Sequence, residues 1–196
     1  PGSVMYFAGL GGDHLRFELL GTAQMLAGID NSASPGLGVI QHREHVTTAA
    51  ADGLSTLTLN GAGTYWYNGY LRDSGGALEF IKAGAGTQTL AGSQTTYTGR
   101  TEVCEGTLIL AGSGLTGTSS VTVSNGAALY LSGTAINQLR GPWTVGGSII
   151  VTTAYANSLY GNVTLNGGSL VSTIGEATYG SYYMGASRTI RANGTG

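Results

Sequence analysis

Short runs of alternating apolar and polar residues recur through the second half of the chain, separated by a few small residues that include glycine. The clearest copies of this phrase span residues 103–110, 121–131 and 163–171, and weaker copies surround Gly63, Gly84 and Gly147. Alternation places every second side chain on the same face of a strand, and no helical period accompanies it. Each copy therefore predicts short β-strands that share one apolar face.

Glycines within these copies fall at a nearly constant spacing. The gaps along the series Gly63, Gly84, Gly106, Gly126, Gly147 and Gly168 are 21, 22, 20, 21 and 21. A unit this small cannot bury an apolar stripe by itself, but stacked units align their stripes into one continuous core. Gly and Asn between the strands supply the positive φ of sharp corners. The pattern predicts an all-β fold, a parallel β-helix (solenoid) with coils of about 21 residues.

Eight aliphatic side chains should point into that core: Leu108, Leu110, Val121, Val123, Leu129, Leu131, Val163 and Leu165. The same pattern permits another fold, because Ser124-Asn125-Gly126-Ala127 between two alternating runs is also a β-hairpin signal. Several hairpins would build an antiparallel sandwich or jelly roll. The near-constant spacing favours the solenoid, since strands and loops of sandwiches usually vary in length.

The two ends of the chain differ from its middle. Residues 1–55 hold all three histidines and a less regular pattern, which predicts N-terminal coils or a cap, whereas residues 56–196 read as solenoid repeats. A loop-rich stretch, Tyr179 to Met184, lengthens the final interval, and residues 188–196 stop partway through another copy of the phrase. Because open solenoid ends expose unpaired backbone groups unless they are capped, we expect continuation into further repeats or end-to-end self-association. The start, Pro1 to Val4, likewise indicates a mature chain or a piece of a longer one.

The composition narrows the function classes. Only 9% of the residues are charged and the net charge is −2, so clustered Lys and Arg for nucleic acid are lacking. No apolar run approaches the roughly 18 residues of a membrane-spanning helix. Cys104 is the single cysteine, which excludes an internal disulfide. We expect Cys104 to be a small buried side chain, with Glu102 and Glu105 disfavouring its thiolate.

One part of the chain carries a more specific motif. Residues 84–92 read G-x-G-T-x-T-L-x-G, residues 96–110 read T-Y-T-G-x-T-x-V-x-x-G-T-L-x-L, and Asp73-Ser-Gly-Gly76 begins a D-x-G-G-x-L stretch that ends at Lys82. This closely resembles the autotransporter-associated β-strand repeat, also called the passenger-associated transport repeat, with looser similarity from about residue 56 to 175. The usual Asn before Thr-Tyr is replaced by Gln94-Thr95, which adds one residue, and Cys104 is also unusual.

The resemblance implies a right-handed parallel β-helix in a large, repetitive bacterial protein that is secreted or attached to the cell surface. In that family the repeat is structural and helps the passenger fold outside the cell. Typical members end in a membrane β-barrel translocator, and nothing in this sequence looks like one. We therefore expect either part of a passenger or a different export route.

The sequence offers little chemistry. His42 and His45 lie three residues apart and His14 lies far away, which matches no zinc motif, so we expect solvated loop histidines. No nucleophile elbow, P-loop or complete dinucleotide fingerprint is present. The sequence thus predicts no catalytic, cofactor-binding or metal-binding residues and no cofactor.

Carboxylates are weighed further because glycan-cleaving enzymes use paired acids. The candidates are Asp13, Asp30, Asp52, Asp73, Glu79, Glu102 and Glu105. A coil of about 21 residues would stack Asp52 on Asp73, and Glu79 could lie in the same way on Glu102, 23 positions later. The plain alternative is polar decoration of strand faces and turns, and fold analogy alone cannot support an enzyme.

Aromatic residues offer a binding alternative. Tyr65-Trp66-Tyr67 and the tyrosines from Tyr179 to Tyr183 could stack on sugars, although alternation buries at least one ring of each set. Trp143 follows Pro142 and is expected to pack at a corner. The sequence favours a non-enzymatic extracellular β-solenoid, a stalk, adhesin passenger or filament-forming subunit. The alternative is a β-helical protein that binds or cleaves polysaccharide.

Overall fold

The computed structural model describes residues 2–8, 15–33, 38–42, 53–112, 115–133, 141–152, 157–159, 161–173, 182–184 and 190–193. Within these residues every regular element is a β-strand, and the paired strands are parallel. They form a β-solenoid of about 6 turns, which confirms the predicted all-β parallel fold. The antiparallel alternative is wrong, because the two runs that flank Asn125-Gly126 belong to different sheets.

Eight strands form the longest sheet, here called the long sheet. In order along the solenoid they are β3 (Ala23–Leu26), β6 (Leu54–Leu59), β9 (Ala77–Lys82), β11 (Thr101–Val103), β13 (Val121–Val123), β15 (Trp143–Val145), β18 (Val163–Leu165) and β21 (Ile190–Ala192). One stacked position passes through residues 57, 80, 101, 121, 143 and 163, at intervals of 23, 21, 20, 22 and 20. Eight strands at about 4.8 Å each span about 34 Å.

A six-stranded sheet forms the second side of the solenoid. Its strands are β7 (Thr64–Tyr67), β10 (Thr87–Leu90), β12 (Thr107–Leu110), β14 (Ala128–Leu131), β16 (Ser148–Val151) and β19 (Ser169–Ser172). The residues that directly precede these strands are Gly63, Gly86, Gly106, Ala127, Gly147 and Gly168. The predicted series therefore needs two corrections, since Gly86 and Ala127 hold the stacked position and Gly84 and Gly126 lie earlier in the same turns.

Smaller sheets complete the fold. The third side contains β2 (Leu15–Glu18), β5 (Gly38–Gln41) and β8 (Tyr70–Arg72), and an isolated bridge joins Leu71 to Thr95. Two further pairs are β1 (Val4–Tyr6) with β4 (Gly28–Asp30), and β17 (Asn157–Leu159) with β20 (Tyr182–Met184). The division between a first part, 1–55, and a second part, 56–196, stays a prediction.

The connections between the two large sheets are of two kinds. On one side lies the glycine corner, which we define as residues 60–63, 83–86, 104–106, 124–127, 146–147 and 166–168 and which is short in every coil. On the other side the chain returns to the long sheet through the longer segments 91–100, 111–120, 132–142, 152–162 and 173–189. The corner holds two to four residues and the returning segments hold 10 to 17, so the returning side is the longest part of each coil.

The core is a set of ladders in which each coil contributes one side chain per position. Seven of the eight predicted inward residues are at most 1% exposed. Leu165 is only partly buried against the cluster. Its neighbour in the next strand is the exposed Ala192, which is too small to cover a leucine.

The glycine corner allows a paired test of two different roles of glycine. Gly106 and Gly126 both have positive φ, at 66° and 80°. A Cβ on Gly106 would lie 2.4 Å from the Gly86 carbonyl oxygen, whereas a Cβ on Gly126 would meet nothing within 4 Å. We expect Gly126→Ala to lower the free energy of unfolding by about 1–2 kcal/mol, the cost of the left-handed conformation. Gly106→Ala should cost clearly more, because the coils must also move apart, and equal losses in urea unfolding would contradict this.

The N-terminal strand β4 is held by a strand and by the side chain of Gln88. Its residues are buried, and β1 pairs with it on one side. The Ile29 N–H donates to Gln88 Oε1 (3.2 Å), and Gln88 Nε2 donates to the Ile29 carbonyl oxygen (3.0 Å). The Gln88 side chain is fully buried among the ladders. Its primary amide thus takes the place of a peptide group of a neighbouring strand, and we call this contact the Gln88 clamp.

Candidate functional site

The Asp73 carboxylate joins two successive coils. Oδ1 accepts from the Leu78 N–H (2.8 Å), and Oδ2 accepts from the Thr98 hydroxyl (2.6 Å). Both oxygens also lie 3.1 Å from the Thr98 backbone nitrogen. With these hydrogen bonds the Asp73 carboxylate holds the chain at a turn. The predicted stacking of Asp52 on Asp73 lies outside the described residues.

Glu79 and Glu102 are bridged by an arginine. Arg100 Nε lies 2.7 Å from Glu79 Oε2, and the same guanidinium pairs with Glu102 Oε1. The expected stacking of the two glutamates is wrong, because Glu102 pairs with Ile81 in the neighbouring strand. The hydrogen bond from Arg100 to Glu79 raises the pKa of the guanidinium further. A paired acid and base would need these carboxylates to face a substrate, and here they face a cation.

The two remaining candidates that the structure describes, Asp30 and Glu105, lie in different parts of the solenoid. Asp30 Oδ1 accepts from the Ser32 N–H (2.8 Å) and hydroxyl (2.6 Å), and Oδ2 accepts from the Trp66 N–H (3.1 Å). Burial opposes ionisation of Asp30, but these hydrogen bonds outweigh it and lower the pKa of the carboxyl. Glu105 is exposed at the glycine corner. Asp13 lies outside the described residues.

His42 is buried, contrary to the expectation of a solvated loop histidine. It is 3% exposed, and its Nδ1 lies 2.8 Å from Ser55 Oγ. Ser55 is itself fully buried and accepts a hydrogen bond from the Gly21 N–H (2.9 Å). The hydrogen bonds of His42 and Ser55 connect the first coils. Because Ser55 does not reach solvent, it offers no nucleophile to a substrate. His14 and His45 lie outside the described residues.

Cys104 is exposed, so the expectation of a buried thiol is wrong. It lies in the glycine corner, where the chain leaves the ladder. Partial desolvation and the charge of Glu102 raise the pKa of the thiol, while Arg100 and Lys82 act in the opposite direction. The expectation that Glu102 disfavours the thiolate agrees with this direction.

Lys82, the single lysine of the chain, points into the ladder. It is 2% exposed and stacks between Leu59 and Val103. Its Nζ donates to the Gly84 carbonyl oxygen and to that of Glu105 (3.2 Å). Burial lowers the pKa of Lys82, and the charge of Glu105 opposes the shift. The side chain therefore fastens the glycine corner from inside.

The aromatic candidates divide between the two faces of their strands. Tyr67 is 1% exposed and packs against Phe7, with ring centroids 5.3 Å apart. Trp66, between Tyr65 and Tyr67, points outward from the six-stranded sheet and is half-buried. Trp143 lies within strand β15 of the long sheet and is 1% exposed, so its expected place at a corner is wrong. The rings from Tyr179 to Tyr183 are not among the described side chains.

No described feature brings several chemical groups together in a cleft. Among the described residues, no group of three or more His, Cys, Asp or Glu could hold a metal ion. A shallow groove follows the glycine corner and is lined by small uncharged residues, including Asn125, Gly147, Ser148 and Gly167. A second groove is lined by Pro142, Trp143, Asn162 and Arg191 among others, and contains no carboxylate. In the described parts of the chain, no helix is long and apolar enough to cross a membrane.

Sequence reasoning missed two structural polar residues, Lys82 and Gln88. Both occupy inward positions of alternating strands, where the neighbouring coils carry Val103 and Leu108. The signal available in the sequence was a polar residue at a position where the neighbouring coil carries an apolar one. Its partners, Ile29 and the corner carbonyl groups, could not be found from spacing alone.

The buried tyrosines should make the free energy of unfolding fall at alkaline pH. Burial raises the pKa of Tyr67 and of Tyr97, the latter despite a hydrogen bond with Thr101 Oγ1 (2.7 Å). Stability from a group with a raised folded-state pKa is present below the unfolded value, about 10 for tyrosine, and is lost as the pH rises above it. The pKa of Lys82 is lowered, so the stability that depends on Lys82 changes with pH in the opposite direction. That stability is fully present above the unfolded pKa of lysine, about 10.4, and adds no further pH dependence there.

From about pH 10.5 upward we therefore expect the free energy of unfolding to fall by about 1.4 kcal/mol per pH unit for each buried tyrosine. Tyr97→Phe should reduce this slope by about half. Urea unfolding at several pH values measures it, with the exposed Tyr6→Phe as control. An unchanged slope in Tyr97→Phe would show that Tyr97 ionises without unfolding.

A comparison with protein families identifies the motif. Residues 80–110 match the model of the passenger-associated transport repeat, which confirms the resemblance noted from the sequence. Neither the curated proteins nor the solved structures contain a significant match to the chain. The repeat and the β-solenoid fit a structural protein like an autotransporter passenger, and the repeat family suggests a bacterial surface or secreted protein.

Proposed function

We propose that this chain is a non-enzymatic β-solenoid of a bacterial surface or secreted protein, located outside the cell. It would serve as a structural stalk, as part of an adhesin passenger or as a filament-forming subunit. The observation that carries this proposal is the role of the matched motif, whose residues stack coils on one another. Leu90, Val103, Leu108 and Leu110 fill the ladder.

The polar and glycine positions of the motif act in the same way. The Tyr97 hydroxyl pairs with Thr101, and Thr101 Oγ1 lies 3.0 Å from Thr118 Oγ1 of the following coil. A Cβ on Gly99 would lie 2.3 Å from the Leu78 carbonyl oxygen, so this position requires close approach of two coils. A motif that serves stacking is what a scaffold needs.

The absence of intrinsic hydrolase or lyase activity is the first test. Purified protein should release no product from a broad panel of polysaccharides, because Asp30 and Asp73 are engaged with backbone donors and Glu79 and Glu102 are engaged with Arg100. Asp73→Asn and Glu102→Gln are the diagnostic variants. Turnover by the wild type that either variant abolishes would overturn the scaffold proposal.

The stalk or filament role also predicts contact along the solenoid axis. Strand β21 is the last strand of the long sheet and its three residues are exposed. We propose that this end continues into further repeats or stacks on a second copy. Such heterologous stacking produces open fibres instead of closed rings. Analytical ultracentrifugation and electron microscopy of the native protein test it, and a discrete monomer that ends at Gly196 would contradict it.

A further inference from the structure

The outer face of the six-stranded sheet carries no charged side chain on any of its described strands. We call it the neutral face and define it by two rows of outward residues. The first row is Thr64, Thr87, Thr107, Ala128, Ser148 and Ser169, and the second is Trp66, Thr89, Ile109, Tyr130, Ile150 and Val171. These positions alternate with the buried ladder residues and are half-buried or exposed.

The outer face of the long sheet has a different character. Its outward positions include Glu79, Glu102 and Arg191, together with threonines such as Thr144. The long sheet thus presents charged groups on its outer face, whereas the neutral face presents none. The neutral face therefore selects against polyanions and polycations, and suits an uncharged ligand.

The shape of the neutral face also limits its ligand. Six strands at about 4.8 Å span about 24 Å along the axis, whereas the two rows lie only about 7 Å apart. A strip of these dimensions offers a few hundred Å² at most, well below the roughly 800 Å² per partner of a stable protein interface. It is long enough, however, for an extended polymer.

The side chains of the strip match the surface of a sugar polymer. Trp66 and Tyr130 lie three strands apart in the same row, a distance of about 14 Å. Each side chain combines a large apolar ring with one polar group, the indole N–H or the phenol O–H. Beside them runs a row of hydroxyl groups that is interrupted at Ala128, and in which Ser148 Oγ and Ser169 Oγ are 3.0 Å apart. The groove at the glycine corner adjoins this row through Ala128, Ser148 and Ser169.

We propose that the neutral face binds an uncharged polysaccharide chain that lies along the solenoid axis. The rings of Trp66 and Tyr130 stack on sugar rings, and the hydroxyl row exchanges hydrogen bonds with sugar hydroxyls. This is a binding function that a stalk does not require, and it stands independently of the proposed structural role.

Binding of the full chain to cellulose, chitin and a β-1,3-glucan tests the proposal, with alginate as a charged comparison. We expect retention on at least one neutral polymer and none on alginate. Tyr130→Ala should weaken binding by about tenfold, as truncation of a central aromatic contact commonly does, while Tyr130→Phe keeps it. Circular dichroism confirms that each variant is folded.

A matched pair of lysine substitutions locates the site. Ile150→Lys places a charge on the neutral face, and Thr144→Lys places the same charge on an outward position of the long sheet in the same coil. We expect the first to abolish retention and the second to leave it unchanged. Three results overturn the proposal: no retention of the wild type on any neutral polymer, equal retention of Ile150→Lys and wild type, or a wild-type dimer that Ile150→Lys dissociates.

Discussion

Replacing Leu131 by alanine should lower the free energy of unfolding by about 2–5 kcal/mol, the usual range for a buried leucine. Leu131 is fully buried, with Leu110 and Val151 directly beside it in the ladder. The neighbouring coils are held at strand spacing by backbone hydrogen bonds. They cannot close around the missing atoms, so a cavity would persist. Urea unfolding followed by circular dichroism measures the loss.

Thr144→Ala is the control for this experiment. Thr144 lies on the outward face of the long sheet and is exposed, so its truncation should change stability by less than about 0.5 kcal/mol. A similar small effect for Leu131→Ala would mean that the six-stranded sheet faces the other way, and the inferred register would fail.

Removing the Gln88 clamp should have the second large effect. In Gln88→Ala the Ile29 N–H and carbonyl oxygen lose their side-chain partners in the interior, and each unsatisfied buried group costs about 1–3 kcal/mol. We therefore expect a total loss of about 2–6 kcal/mol in urea unfolding. Gln24→Ala is the matched control, because the Gln24 side chain donates to the Thr22 hydroxyl at the surface.

Gln88→Glu separates the two hydrogen bonds of the clamp. An ionised carboxylate can accept from the Ile29 N–H but cannot donate to its carbonyl oxygen. Burial would raise the pKa of this glutamate, so its favourable contribution is present below the unfolded value, about 4.3, and is lost as the pH rises through the folded value. The variant should therefore be closer to wild type at pH 4 than at pH 7. A penalty that does not change with pH would mean that Gln88 acts through its shape alone.

The sequence could predict the parts of this fold that repeat. Alternation identified residues such as Leu108 and Leu131 as inward because every coil must bury its apolar side chains in the same way. It could not predict where a single coil departs from the rule. His42 and Cys104 were wrongly assigned because their burial depends on how the chain enters and leaves one particular turn. The Gln88 clamp joins residues 59 positions apart, and no period in the sequence encodes that contact.

The candidate chemistry shows the same limit. Spacing close to the length of one coil suggested that Glu79 would stack on Glu102, but Glu102 lies beside Ile81, so the two carboxylates are offset along their strands. The length of a coil must be known without error before a pair of acids can be placed. Arg100 then occupies the space between them, which only the side-chain geometry reveals.

The unequal lengths of the two connections decide how such a chain can diversify. The glycine corner varies only between two and four residues, and a Cβ on Gly84, Gly106 or Gly168 would lie within 2.4 Å of a carbonyl oxygen of the preceding coil, so changes there are confined to small residues. On the returning side, the segments already differ in length from coil to coil while the strands that follow keep their pairing. Sequence drift, insertion and loss can therefore accumulate on the returning side. A protein built in this way can change the surface that its surroundings meet without altering how it folds.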